Sequence, residues 1–139
     1  MITEVYVPRD RIAAFLEDAR ALLLERCANL IYGTVRLIER DNETFLAWAR
    51  DRFACIVFNL HVDHTPAAIA AAADTFRALI DLAIAYRGSY YLAYHRWARK
   101  DQVEAGYPQM RRFLALKHEH DPLDVFQSDW YRHYRAMFS

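Results

Sequence analysis

The spacing of hydrophobic and polar residues changes several times along the chain. Alternation with a period of two predicts four strands, at Ile2–Val7, Leu30–Arg40, Phe53–Val62 and Ser89–His95. Apolar residues at i, i+3, i+4 and i+7 predict a first helix from Asp10 to Cys27. A second helix is predicted to begin after the N-cap Thr65 and to stop at Gly88. The predicted order is β-α-β-β-α-β.

A helical extension follows the fourth predicted strand. The pattern from Lys100 to Glu119 is helical, and Pro108 predicts a break within it. Asp121-Pro122 is typical of a turn, and Ser128 or Asp129 can cap a short amphipathic terminal helix. The C-terminal third therefore predicts a helical layer attached to the main sheet.

The element order is that of the α+β, ferredoxin-like split motif. Its two helices cover one face of an antiparallel sheet and leave the other face open. The alternation assigns polar, charged and aromatic residues to this open face: Glu4, Tyr32, Thr34, Arg36, Asn59, His61, Tyr91 and, at the end of the fourth strand, His95. Such a mixture favours contact with a ligand or a protein partner.

Composition restricts the class of protein. Hydrophobic residues form 55% of the chain, which excludes disorder, and 18 basic residues balance 18 acidic ones, which argues against a nucleic-acid binder. No apolar run approaches the roughly 18 residues of a membrane span. We therefore expect a single cytoplasmic domain, residues 1–139, with no nucleic acid and no membrane partner.

The metal and nucleotide motifs are weak or missing. In a strand, His61 and Asp63 share a face but His64 does not, whereas zinc needs three or four converging ligands, so we predict no metal site. The three glycines, Gly33, Gly88 and Gly106, are scattered and form no phosphate-binding loop. We therefore expect that this chain alone binds no FAD.

Arg36 lies in the middle of a strand and allows two interpretations. A guanidinium on a sheet face favours a carboxylate or another anion as its partner. Glu4 on the first strand could supply a structural ion pair, or Arg36 could bind a ligand. The pattern alone leaves both open.

Four segments resemble the C-terminal region of FAD-linked oxidoreductases of the vanillyl-alcohol-oxidase superfamily. The likeness is to the decaprenylphosphoryl-ribose oxidase and sugar-lactone or alditol oxidase branch. The "YP…DP…F-S-D" spacing from Tyr107 to Asp129 is its most specific part. The segments are Val5–Ala19 (VYVPRDRIAAFLEDA), Tyr90–Tyr94 (YYLAY), Tyr107–Pro122 (YPQMRRFLALKHEHDP) and Phe126–Trp130 (FQSDW).

The resemblance implies a cap, or substrate-binding, domain whose open sheet face covers the flavin ring. FAD would then come only with a partner, either an FAD-binding domain or a separate FAD-binding subunit. By position, the resemblance assigns substrate-contacting roles to residues on neighbouring strands: Glu4, Thr34, Arg36, Asn59 and Tyr91.

The resemblance also implies candidates for removing a proton from the substrate hydroxyl: His61, Tyr94 and His95. The relatives carry a lysine after the "YLA" motif, and this chain has Tyr94 there instead. A tyrosine hydroxyl can hydrogen-bond a substrate, and His95 can act as a cation or as a proton acceptor.

Two functions from different classes follow. The first is the substrate-binding domain of an FAD-dependent oxidoreductase that acts on an alcohol or a sugar-like substrate. The alternative is a free-standing ferredoxin-like module that binds a small ligand without catalysis or forms a homodimer through its open sheet face. Three origins stay open: an excised domain, one subunit of a split enzyme, or a free-standing descendant without redox chemistry.

Overall fold

Four strands form one antiparallel sheet in the order β2-β3-β1-β4. The computed structural model describes residues 1–139. The strands are β1 (Ile2–Pro8), β2 (Asn29–Ile38), β3 (Phe53–His61) and β4 (Ser89–Tyr90). The helices are α1 (Ile12–Glu25), α2 (Pro66–Ala85), α3 (Lys100–Gly106), α4 (Met110–His120) and α5 (Asp129–Phe138). This architecture confirms the predicted α+β fold and its ferredoxin-like order.

The main core lies between the sheet and the helices α1 and α2. Val5 and Ile56 face each other on the two central strands, and both are almost completely buried. They belong to the same apolar cluster as Phe15 of α1 and Leu79 of α2. Each buried aliphatic or aromatic side chain of this size stabilises the fold by about 1.5–3 kcal/mol. The other sheet face is thereby left free of helices α1 and α2.

Helix α2 begins as its sequence predicts and ends at Ala85, three residues before the predicted stop at Gly88, with Arg87 rather than the glycine in the left-handed conformation. The Thr65 hydroxyl accepts a hydrogen bond from the Ala68 N–H at 3.2 Å, and Pro66 occupies the first turn. At the other end, the Gly88 N–H donates to the Ala83 carbonyl at 2.7 Å. The backbone of Gly88 lies so close to β1 that an added Cβ would stand 1.9 Å from the Tyr6 carbonyl oxygen.

The fourth strand is much shorter than predicted. It ends at Tyr90, and the predicted continuation to His95 forms turns instead. Beyond Tyr91, whose N–H still donates to the Glu4 carbonyl at 2.9 Å, the chain turns towards the helix layer, where His95 and Trp97 pack on Phe76 of α2. Side chains from the C-terminal extension bind the outward-facing carbonyls of this segment. The Tyr107 hydroxyl donates to the Tyr90 carbonyl, and the Trp130 Nε1–H donates to the Leu92 carbonyl at 3.3 Å. The prediction of a strand from Ser89 to His95 was therefore wrong beyond Tyr90.

The helical extension follows the sequence pattern. The break near Pro108 is confirmed, because α3 ends at Gly106 and α4 begins at Met110. Of the two predicted caps for the last helix, Ser128 is the one used, since its hydroxyl accepts from the Tyr131 N–H at 3.1 Å.

A cluster of ion pairs fixes the turn between α4 and α5. Lys117 Nζ lies 2.6 Å from Asp121 Oδ2 and 2.9 Å from Asp124 Oδ1. Asp121 also accepts backbone N–H groups from Val125 and Phe126, each at 2.9 Å. The Asp121 carboxylate thus fixes the Asp-Pro turn by accepting hydrogen bonds from three donors, namely Lys117 and the backbone N–H groups of Val125 and Phe126.

Stability is expected to fall in acid because of Asp121. Hydrogen bonds from Lys117 first, and then from the backbone of Phe126 and Val125, lower the pKa of Asp121 to about 2. An unfolded aspartate titrates near pH 3.9, so this stabilisation is present above about pH 4 and is lost as the pH falls towards 2. Urea unfolding of the wild type and of Asp121→Asn across this range tests the effect. The variant should lose part of the pH dependence; an identical pH profile in both proteins would contradict it.

Strand β2 stands apart from the rest of the sheet. It lies at the outer edge, and its residues are exposed on both faces from Asn29 to Leu37. On the side of the helices, Val35 is 46% exposed and Leu37 is 69% exposed. Helices α1 and α2 therefore do not cover this strand.

Candidate functional site

The register of the three longest strands aligns the predicted site residues in rows. Residues directly opposite each other in an antiparallel sheet share a face. On the open face, one row contains Thr34, Val57 and Glu4, and the next contains Arg36, Cys55 and Tyr6. Tyr32 and Asn59 begin a third row. The pairing thus brings predicted residues from three strands to one surface.

Glu4 lies at the centre of this surface and is buried, at 8% exposure. Its Oε1 accepts the Tyr6 hydroxyl at 3.2 Å and the Cys55 thiol at 2.8 Å. Burial, with the nearby Glu4 carboxylate, raises the pKa of both Tyr6 and Cys55. Both groups are therefore protonated at neutral pH and act as donors that hold the carboxylate in place.

Tyr91 and Tyr94 form the side of the site next to Glu4. The Tyr91 N–H donates to the Glu4 carbonyl at 2.9 Å, and the two tyrosine rings meet edge to face with centroids 4.8 Å apart. Partial burial and the Glu4 carboxylate raise the pKa of Tyr94. Tyr94 is 46% exposed. Its hydroxyl stays protonated at neutral pH, so it can donate a hydrogen bond to a ligand.

Arg36 is the cation of the open face. It lies opposite Cys55 on the exposed strand β2. No carboxylate oxygen lies within 4.0 Å of its guanidinium, so the structural ion pair with Glu4 that the sequence allowed is not formed. A solvent-exposed guanidinium without an internal partner can bind an anionic or oxygen-rich ligand.

The two predicted histidines do not join this cluster. The ring of His95 stacks on Trp97 with centroids 4.2 Å apart and meets Phe76 of α2 edge to face at 5.3 Å. Burial in these contacts lowers the pKa of His95. The contacts also show that His95 lies on the helix side of the sheet, because the chain turns after Tyr90. The placement of His95 on the open face was therefore wrong. His61 is exposed at the end of β3, where its Nε2 lies 3.5 Å from Asp63 Oδ1.

A tryptophan that the sequence pattern did not assign covers one end of the open face. Trp48, from the connection between β2 and β3, packs on Tyr6 with ring centroids 4.9 Å apart. Arg50 anchors this connection by donating to the Gly88 carbonyl at 2.7 Å and the Gly106 carbonyl at 2.9 Å. The signal in the sequence is the apolar run Phe45–Ala49 within this connection, and Tyr6 itself shares the face of Glu4 by alternation.

A charged cleft of about 490 Å³ lies elsewhere, beside the end of β1. Two of its three arginines are already engaged, because Arg9 Nη2 lies 2.7 Å and Arg52 Nε lies 3.1 Å from the carboxylate of Glu39, and only Arg87 has no carboxylate partner. The open face, with its unpaired Arg36, is the better candidate for a ligand.

The fit to FAD is partial. No glycine has a positive φ, and the glycines form no cradle for a pyrophosphate. The open face offers the half-exposed ring of Tyr94 and the exposed donors Thr34 and Arg36, which can contact a ring system held by another polypeptide. The structure also contains no group of three or more His, Cys, Asp or Glu side chains placed for a metal ion.

Fold and surface together define an α+β domain that presents one polar and aromatic sheet face. Comparison with protein families then gives the assignment: the family model of D-arabinono-1,4-lactone oxidase matches residues 2–134. The chain belongs to this family of FAD-linked oxidoreductases. A comparison with curated proteins gives no match. No helix has the length and apolar character needed to cross a lipid bilayer.

Proposed function

We propose that this chain is the substrate-binding domain of an FAD-linked oxidoreductase that acts on a sugar lactone or a related alcohol. The observation that supports this most is the open sheet face, where the unpaired Arg36 lies beside Thr34, in the row next to the buried Glu4. The family match over nearly the whole chain supports the same class of reaction.

Each group on this face has a role in binding. Arg36 and Thr34 donate hydrogen bonds to substrate oxygens, and Asn59 can both donate and accept. Tyr91 and Tyr94 offer ring surface for the sugar and a phenolic donor at its edge. Glu4 acts indirectly, by holding Tyr6 and Cys55 and by its place next to Tyr94.

Tyr94 lies next to Glu4, but its raised pKa keeps it protonated, so it can donate to a substrate oxygen and does not take the substrate's proton. The stacked His95 faces α2, which leaves the exposed His61 at the end of β3 as the proton acceptor. Flavins supply the hydride acceptor for oxidations of this class. An FAD-binding domain or subunit has to provide that cofactor, and the open face of this chain closes over it and excludes water.

The first test is a pull-down from native cell extract with the tagged full-length chain, followed by an absorption scan near 450 nm. We expect a yellow partner to be retained. A matched bait in which the open face carries Thr34→Glu and Arg36→Glu should lose the partner while keeping its circular dichroism spectrum. A colourless eluate with both baits would overturn the proposal and favour the free-standing module.

A further inference from the structure

The outer edge of β2 is an unprotected pairing surface. β2 is ten residues long and pairs with β3 alone, so a row of backbone N–H and C=O groups points away from the sheet. Natural edge strands are usually short or carry lysine, proline or a bulge that prevents further pairing. β2 contains no lysine or proline, and its one irregularity lies at its start, between Leu30 and Tyr32. The segment from Tyr32 to Leu37 is thus a regular, open strand edge, whereas the Ile38 carbonyl accepts a hydrogen bond from Arg9 Nη2 at 2.7 Å.

The side chains next to this edge are apolar on the helix side. Val35 and Leu37 point towards the helix layer but are 46% and 69% exposed, because α1 and α2 stop short of them. Exposed apolar side chains along an open edge strand are typical of a contact surface. In a paired sheet, apolar side chains on the same face of the second copy's β2 would lie beside both of them.

The opposite edge of the sheet limits what this partner can be. β4 has only two residues, Ser89 and Tyr90, and both are buried. Side chains of the C-terminal extension occupy the carbonyls of Tyr90 and Leu92. Pairing of β2 with the β4 edge of another copy is therefore blocked, which excludes an open-ended fibre. Pairing of β2 with β2 closes on itself around a two-fold axis.

We infer that β2 pairs antiparallel with β2 of a second copy of this chain to form one continuous eight-stranded sheet. Registers centred on Thr34 or Val35 place Arg36 of one copy opposite Tyr32 or Thr34 of the other, so like charges do not face each other. The formal net charge of zero adds no long-range repulsion between copies.

The two-fold axis runs perpendicular to this sheet. Both helix layers therefore lie on one side and both open faces lie on the other. Val35 and Leu37 gain side chains of the second copy's β2 as neighbours across the pair. This arrangement differs from a homodimer through the open face, because it leaves Arg36 and Thr34 accessible. It does not depend on the proposed substrate or on the flavin partner.

Light scattering after gel filtration of the full chain tests the inference. The mass should be twice the 16.4 kDa of one chain at about 100 µM, where a dimer with a micromolar Kd is almost fully formed. The double variant Val35→Lys/Leu37→Lys should be monomeric. The matched control Leu24→Lys/Leu123→Lys adds the same charge at leucines that are 62% and 84% exposed, and it should stay dimeric.

A cross-linking experiment gives a second readout that does not require a destabilising charge. Cys27 is exposed and Cys55 is buried, so Val35→Cys in a Cys27→Ser background leaves one accessible thiol. A short bis-maleimide should join two copies through position 35, and it should not join copies of the Leu24→Cys counterpart. A monomeric wild type, a charged edge variant that stays dimeric, a control that dissociates, or equal cross-linking at both positions would each overturn the inference.

Discussion

Replacing Gly88 with alanine is expected to lower the free energy of unfolding by about 3 kcal/mol, which is the upper range for overpacking a buried site. The added Cβ would stand 1.9 Å from the Tyr6 carbonyl oxygen and 2.7 Å from the Ala83 carbonyl oxygen. Both obstacles are backbone atoms, one in the central strand β1 and one in α2, so neither can turn aside as a side chain would. Chemical denaturation monitored by circular dichroism measures the change.

Gly33 provides the matched control for this substitution. Its added Cβ would meet one atom, the Val57 carbonyl oxygen at 3.4 Å, which is an ordinary contact distance. Gly33→Ala should therefore change stability by about 0.5 kcal/mol or less. If both alanine variants unfold at the same denaturant concentration, the close approach of Gly88 to β1 does not limit the fold.

Arg36→Gln is expected to raise the KM for a sugar lactone by about 10- to 150-fold, because a hydrogen bond from a charged donor contributes about 1.5–3 kcal/mol to binding. The guanidinium has no carboxylate partner within the chain, so its loss should leave the fold intact. The measurement is steady-state oxidation of D-arabinono-1,4-lactone by the complex of this chain with its flavin-bearing partner. We expect the effect on kcat to be much smaller than that on KM.

Arg20→Gln is the control for the loss of one positive charge. Arg20 is exposed on α1, which lies on the opposite side of the sheet from Arg36. This variant should keep the wild-type KM, and both variants should keep the wild-type melting temperature. An unchanged KM in Arg36→Gln, or an equal increase in both variants, would remove Arg36 from the substrate site.

The sequence predicts most of the fold because its periodicities are strong where the elements are long. The N-cap Thr65 begins α2, the helix ends three residues before Gly88, and alternation in β3 separates the core face from the open face. The end of β4 was not predictable in this way. Residues Ser89–His95 have the composition of a strand, but His95 and Trp97 pack on Phe76 of the distant helix α2, and the chain turns away from β1.

The residues of the candidate site also fall into two groups, those that the sequence pattern places correctly and those that it does not. Residues on regular strands, such as Thr34, Arg36 and Asn59, lie where alternation assigns them. His95 does not, because its position depended on a strand that ends five residues earlier. The contacts that a single sequence leaves open are those made across the sheet, such as Glu4 with Cys55, and those from connections, such as Trp48 with Tyr6.

The position of Trp48 gives the open face its own optical reporter. The chain has three tryptophans: Trp97 stacks on His95 beside α2, and Trp130 binds the Leu92 carbonyl from α5. Trp48 alone lies on the aromatic surface formed with Tyr6. Indole emission overlaps the near-ultraviolet absorption of an isoalloxazine ring, so a flavin that approaches this face would quench Trp48 by energy transfer more strongly than the other two. Under the proposed function, the emission of Trp48 would therefore report how closely a flavin approaches the open face.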